Sequence, residues 1–144
     1  MVDAIGNTPM VRINRLNPNP DVLLLAKLEG ANPSGSVKDR AAARMVLEAE
    51  KQGLLRQGIE ILEATSGNTG IALAMIGAAR GYRVTLAMPQ SASEERKQMI
   101  HAFGANLVLT PAKLGTDGAI AEVRRMSGAE PGRYFVPDLS LIHI

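Results

Sequence analysis

A lysine at position 38 stands where a helix is about to begin, within Asn32-Pro33-Ser34-Gly35-Ser36-Val37-Lys38-Asp39-Arg40. Ser36 can cap that helix and Asp39 occupies the capping-box position three residues on, which places Lys38 in the first turn. A cation prefers the opposite end of the helix dipole, so this lysine breaks a local rule that its neighbours obey. The chemical use of such a residue is as a free amine, able to attack a carbonyl or take a proton from carbon. The dipole by itself falls short of neutralising an ammonium, and burial or conversion to an imine has to supply most of the effect. The plainer alternative is a solvated lysine at a fraying helix end.

A second stretch, Thr65-Ser66-Gly67-Asn68-Thr69-Gly70, has the chemistry of an anion site. Gly67 and Gly70 let the backbone turn tightly and approach a ligand. Exposed amides at the helix start favour negative charge, and Thr65, Ser66 and Thr69 add hydroxyl donors. An amino-acid carboxylate fits such a loop. The alternative is that Thr and Asn here only cap the following helix. No Walker A spacing and no GxGxxG occurs in the chain, which leaves a nucleotide binder of the Rossmann type as the weakest reading.

The elements that must carry these stretches alternate. Residues 1 to 20 read as an extended arm, with Ile5-Gly6-Asn7-Thr8-Pro9 and the turn cluster Asn17-Pro18-Asn19-Pro20. Val22 to Leu28 is an apolar run broken by Lys27, which predicts a mostly buried strand. Helices are expected over Val37–Gln52, Thr69–Arg80, Ser91 or Ser93 to Phe103, and Thr116–Met126, with Gly53, Gly81 and Gly104 ending the first three. Strands are expected at Ile59–Ala64, Arg83–Met88, Asn106–Thr110 and Arg133–Val136. The second helix is built of small residues, Gly70, Ala72, Ala74, Gly77 and Ala78, and should lie close on the sheet. Alternation of this kind predicts an α/β fold, a parallel sheet with helices on both faces. The loop at 65–70 then lies at a strand's carboxyl end, where such sheets bind ligands.

With 144 residues the chain has room for one well-buried domain. Hydrophobic residues make up 46% and charged ones 21%, the balance of a globular protein and not of a disordered one. A net charge of +2 without a basic run, and 3% aromatics, argue against a nucleic-acid partner. No apolar stretch approaches the ~20 residues that span a bilayer and no signal-peptide pattern opens the chain, so a cytoplasmic location without a membrane partner is expected. There is no cysteine, and the two histidines, His101 and His143, are isolated, so no metal is expected.

Taken together, NPSGSVKDR and EATSGNTGIALAM, preceded by IGNTPMV, closely resemble the cysteine synthase (O-acetylserine sulfhydrylase) family of pyridoxal-phosphate enzymes of fold type II, most of all its B group. The resemblance covers about Ile5 to Asp138. It implies that Lys38 bonds pyridoxal 5′-phosphate through its amine and later takes the substrate α-proton. It implies further that Asn68 hydrogen-bonds the cofactor's ring hydroxyl, and that Thr65, Ser66, Gly67, Asn68 and Thr69 hold the substrate. The implied reaction is β-replacement on O-acetylserine, with acetate leaving and sulfide, or thiosulfate in the B group, adding to form cysteine or S-sulfocysteine. A homodimer is implied for the complete protein. Within the fold type the resemblance separates a synthase poorly from a cystathionine β-synthase, and better from a serine/threonine dehydratase. A non-catalytic remnant that binds a small anion or a partner protein is the alternative from another class.

The family is about twice this length, with a phosphate-cradling loop and much of a second domain that have no counterpart here. The expectation is therefore an N-terminal portion, inactive alone. Its organisation is expected to be an arm and strand over 1–35, which belong with the other domain in the family, a small α/β domain over 36–138, and a tail over 139–144. Where the family pattern has a glutamine the chain has Leu139, followed by Ser140-Leu141-Ile142-His143-Ile144, which reads as a non-native end.

Overall fold

From Lys38 onward helix and strand alternate, and the computed structural model, which describes residues 1–137, arranges them in three layers. The strands are β1 (Met10–Arg12), β2 (Leu25–Lys27), β3 (Glu60–Ala64), β4 (Val84–Pro89), β5 (Asn106–Thr110) and β6 (Tyr134–Phe135). The helices are α1 (Lys38–Lys51), α2 (Asn68–Arg80), α3 (Glu94–Ala102) and α4 (Gly115–Ala129). Four strands form a parallel sheet in the order β5-β4-β3-β6, with Ile61 opposite both Val84 and Phe135 and Leu86 opposite Leu107.

Adjacent strand residues point to opposite faces, and the two cores follow that alternation. Ile61 and Leu86 join the larger core, which α1, α2 and α3 complete with Met45, Val46, Leu73, Ile76 and Ile100. Leu62 and Ala87 turn the other way, onto Ala119 and Val123 of α4. Every residue of β4 is buried, as a central strand covered on both sides requires. Burying a leucine such as Leu62, Leu73 or Leu86 completely contributes roughly 1.5–3 kcal/mol each. The α/β architecture expected from the alternation is therefore present.

The small residues of α2 do what their size allows. An added Cβ at Gly77 would lie 2.2 Å from Val84 Cγ2, and one at Gly70 would lie 2.3 Å from Thr65 Cγ2. The helix thus sits against the ends of β3 and β4 at a distance that only glycine permits at those two points. The helix ends in Gly81, at φ +77°, a left-handed cap.

Three local expectations differ from the structure. The run Val22–Leu28 is not a buried strand: only Leu25–Lys27 pairs, antiparallel with Met10–Arg12, and Val22, Leu23, Leu24, Leu25 and Leu28 are all exposed. An apolar run records a preference for burial, but among the described residues the two-stranded ribbon has no second layer to cover it. The capping box is also rearranged. Lys38 N–H does donate to Ser36 Oγ at 3.2 Å, whereas Asp39 turns back to accept from Ser34 N at 2.7 Å and from the Ser34 hydroxyl. A turn closed by Gly35 N–H donating to the Asn32 carbonyl at 2.8 Å carries Ser34 onto Asp39, which is fully buried. Finally, Ser93 precedes α3 without a side-chain capping bond. The Leu139 reading and the tail 139–144 lie outside the described residues. Among the described residues no helix is long and apolar enough to cross a membrane.

Candidate active site

Beyond the carboxyl ends of β3 and β6 the sheet opens into a cavity of about 530 Å³, within the usual range for small-molecule sites. Lys38 and the whole of Thr65–Thr69 line it, so the structure brings all six residues singled out from the sequence to one place. The two stretches meet because α1, which begins at Lys38, packs along α2, which begins at Asn68.

Lys38 is exposed at the edge of this cavity, and its amine makes no ion pair or hydrogen bond among the described residues. Its backbone is held from two directions. The buried Asn32 accepts from Gly6 N–H at 2.9 Å and donates to the Glu29 carbonyl at 2.8 Å. Glu29 in turn accepts from Arg40 Nε at 2.8 Å and from Thr8 Oγ1 at 3.0 Å. The arm residues Gly6 and Thr8, from the IGNTPMV stretch, thus clamp the loop that carries the lysine.

The loop after β3 divides its polar groups between holding itself and facing the cavity. Thr65 is buried, and its Oγ1 accepts from Gly67 N–H at 3.2 Å and Gly70 N–H at 3.1 Å. That hydroxyl shapes the loop. The side chains of Ser66, Asn68 and Thr69 have no partner among the described residues, nor do the Asn68 and Thr69 N–H groups at the start of α2. These are free donors at a positive helix end, the arrangement that takes an anion.

Three polar lining residues escaped the sequence reading. Arg96 of α3 donates from Nη1 to the Ser66 carbonyl at 3.1 Å, which pins the loop and brings a cation to the cavity. Thr116, at the start of α4, adds a hydroxyl. Glu63 lies one residue before Ala64 and takes its N–H at 3.0 Å; burial pushes its carboxyl up from the usual 4.5 to about 7, and the Ala64 bond offsets only part of that. A charged residue inside the otherwise apolar Ile61-Leu62-Glu63-Ala64, directly before a ligand loop, was the available signal for Glu63. Arg96 had none, because nothing local to α3 says which loop lies beneath it.

The chain is similar to known proteins along most of its length. The family model described as pyridoxal-phosphate dependent enzyme matches residues 1–143. The cysteine synthase of Aquifex aeolicus is 54% identical over 141 residues, which is 96% of this chain and 43% of that protein. Cysteine synthase B of Salmonella typhimurium is 54% identical over 116 residues, 81% of this chain and 38% of that protein. Among solved structures, the cysteine synthase of Entamoeba histolytica superposes with a TM-score of 0.89 at 48% identity, covering 94% of this chain and 41% of that one. The chain spans about two fifths of the length of these relatives.

Proposed function

Because the chain belongs to the pyridoxal-phosphate-dependent enzyme family and is similar to cysteine synthases along nearly its whole length, we propose that it is the N-terminal portion of a cysteine synthase. The complete protein would act on O-acetylserine, replacing acetate with sulfide or thiosulfate to give cysteine or S-sulfocysteine. The observation that carries this reading is that the amine of Lys38, without a partner among the described residues, and the donors of Thr65–Thr69 line one cavity.

The residues present suit the cofactor. An exposed lysine amine without a partner among the described residues is free to bond an aldehyde, and Asn68 stands at the cavity to hold a ring hydroxyl. When bound, pyridoxal phosphate supplies the electron sink that makes the bond to the α-carbon's proton breakable. The protein's own part is to orient and to move protons. The N–H groups of Asn68 and Thr69, with the hydroxyls of Ser66 and Thr69, hold the substrate carboxylate. Lys38 takes the α-proton at its nitrogen, and Arg96 keeps the loop in place through Ser66. Thr65 contributes through the loop's shape, since its hydroxyl already serves Gly67 and Gly70.

Residues 1–35 are read as an arm that belongs with a further domain, and 36–138 as the small domain. The exposed Met10, Val11 and Val22–Leu25 are in keeping with a surface meant to be covered. The resemblance puts the donors to the cofactor phosphate, each charge-assisted bond worth roughly 1.5–3 kcal/mol, in the part of the relatives' length that these 144 residues do not match, so weak cofactor retention and negligible activity are expected of these residues alone. A homodimer in the cytoplasm is the assembly proposed for the complete protein.

Reductive trapping tests the reading. With millimolar pyridoxal phosphate the chain should show little visible absorbance, yet borohydride should fix the cofactor on Lys38 in preference to Lys27, Lys51, Lys97 and Lys113. Lys38→Ala should lose that preference. Equal labelling of all five lysines would leave a remnant without cofactor chemistry as the better account.

A further inference from the structure

We propose that Glu63 couples anion binding in this cavity to proton uptake: its carboxyl has to be neutral for the Thr65–Thr69 loop to hold a carboxylate. The inference rests on reading that loop as the carboxylate site, and goes beyond it by naming the group that sets the site's response to pH.

The geometry is unusual for a glutamate. Glu63 is the last but one residue of β3, half-buried, and lines the same cavity as the loop that follows it. On β3 it alternates with Leu62, which faces α4, so it shares the face of Ile61, toward α1 and α2. Buried carboxylates are ordinarily paired with a cation. Among the described residues Glu63 has no ion pair; one oxygen takes the N–H of Ala64, and the other has no partner.

That N–H is available for a topological reason. Glu60 N–H donates to the Arg133 carbonyl, and β6 ends at Phe135, opposite Ile61, so among the described residues no strand continues beside Ala64 on that side. Charged groups reach the cavity from two elements, Lys38 from α1 and Arg96 from α3, and neither pairs with Glu63. Among the described residues, helices α2 and α4 and residues 136–137 bring no charged group to it, and β4 sets Leu86 opposite Glu63.

An ionised Glu63 would therefore stand without an ion-pair partner in the same cavity as an incoming carboxylate, and like charges in a partly desolvated site oppose one another. Protonated, it removes that repulsion and presents an O–H donor. The proton comes from solvent and returns there when the anion leaves. Burial already raises the group to about 7, so a bound anion raises it further and the coupling falls in the neutral range.

The test uses the full chain with L-serine as probe, because its carboxylate and ammonium keep their charges between pH 6 and 8. Binding is read from the Thr65 and Thr69 methyl resonances, whose dispersion also reports that each variant is folded. With a group titrating near 7, the neutral fraction falls about tenfold from pH 6 to 8, so the affinity for serine should weaken by about tenfold. Calorimetry in two buffers of different ionisation enthalpy should find about half a proton taken up per serine at pH 7. Glu63→Gln should bind at both pH values as the wild type does at pH 6, with no proton uptake. Equal wild-type affinity at the two pH values, or a variant that keeps the wild-type pH dependence, overturns the coupling and leaves the loop as the anion site. If neither methyl responds to serine at either pH, the loop reading itself fails and the coupling with it.

Discussion

The carboxylate of Glu29 holds Arg40 by two bonds, from Nε at 2.8 Å and from Nη2 at 3.0 Å, and so ties the residue two places after Lys38 to the N-terminal arm. Thr8 and Asn32 donate to the same carboxylate. The Arg40 hydrogen bond is the chief cause that lowers Glu29 from 4.5 to about 2, against the opposing effect of burial. A folded value below the unfolded one means that the clamp contributes fully above pH 4.5 and is lost as pH falls toward about 2. The Gly6 amide shift, which reports the bond to Asn32, should stay native at pH 5 and move as the pH drops from 4 to 2. Glu29→Gln should show the loosened shift already at pH 5, and an unchanged shift there would remove the clamp from the account.

Packing of α2 on the sheet gives a second expectation. Gly77→Ala places a methyl 2.2 Å from Val84 Cγ2, where the helix has to move or the valine has to leave its rotamer. Overpacking of this kind costs about 1–3 kcal/mol. Urea denaturation should show it, and Val84→Ala in the same chain should recover part of the loss, since the two sites share one contact. Additive losses would mean that the contact is not the cause.

Thr65 is expected to matter through its acceptor oxygen. Thr65→Val keeps the shape but leaves the Gly67 and Gly70 N–H groups without that partner, at a cost of about 1–3 kcal/mol. Thr65→Ser keeps the oxygen and should lose distinctly less. Denaturation midpoints in the reverse order would show that the methyl, not the hydroxyl, holds the turn.

Glu63 should make stability depend on pH in the opposite sense to Glu29. Its folded value of about 7 exceeds the unfolded 4.5, so the folded state holds the extra proton in that window and stability falls as pH rises from about 4.5 to 7. At about 1.4 kcal/mol per pH unit the loss has an upper bound of roughly 3 kcal/mol. Glu63→Gln should therefore be more stable than the wild type at pH 8 and close to it at pH 4. Parallel stability curves for the two proteins would show that the carboxyl is not desolvated.

Much of this was legible in the amino-acid order because it is local. Glycine at the ends of α1, α2 and α3, small residues along α2, and a Thr-Ser-Gly-Asn-Thr loop after an apolar strand each act through a few adjacent residues. The helix and strand limits from α1 onward shifted by three residues at most, and Asn106–Thr110 not at all. Lys38 and the loop could be named before their meeting place was known, since amine and donor chemistry travel with residue type.

Tertiary structure alone decided the rest, because burial and pairing are properties of neighbours far apart in the chain. Asp39 has the residue type of a capping-box partner, yet a turn at Asn32–Gly35 delivered Ser34 to it instead. Val22–Leu28 has the composition of an inner strand, and only the absence of a covering layer among the described residues leaves it exposed. Glu63 stands out in the sequence only as a charge within an apolar run; its burial without an ion-pair partner among the described residues is set by the elements packed around it. Residue type determined which chemistry the chain can offer; the assembled sheet determined which groups must perform it together, because charge and water are shared across space and not along sequence.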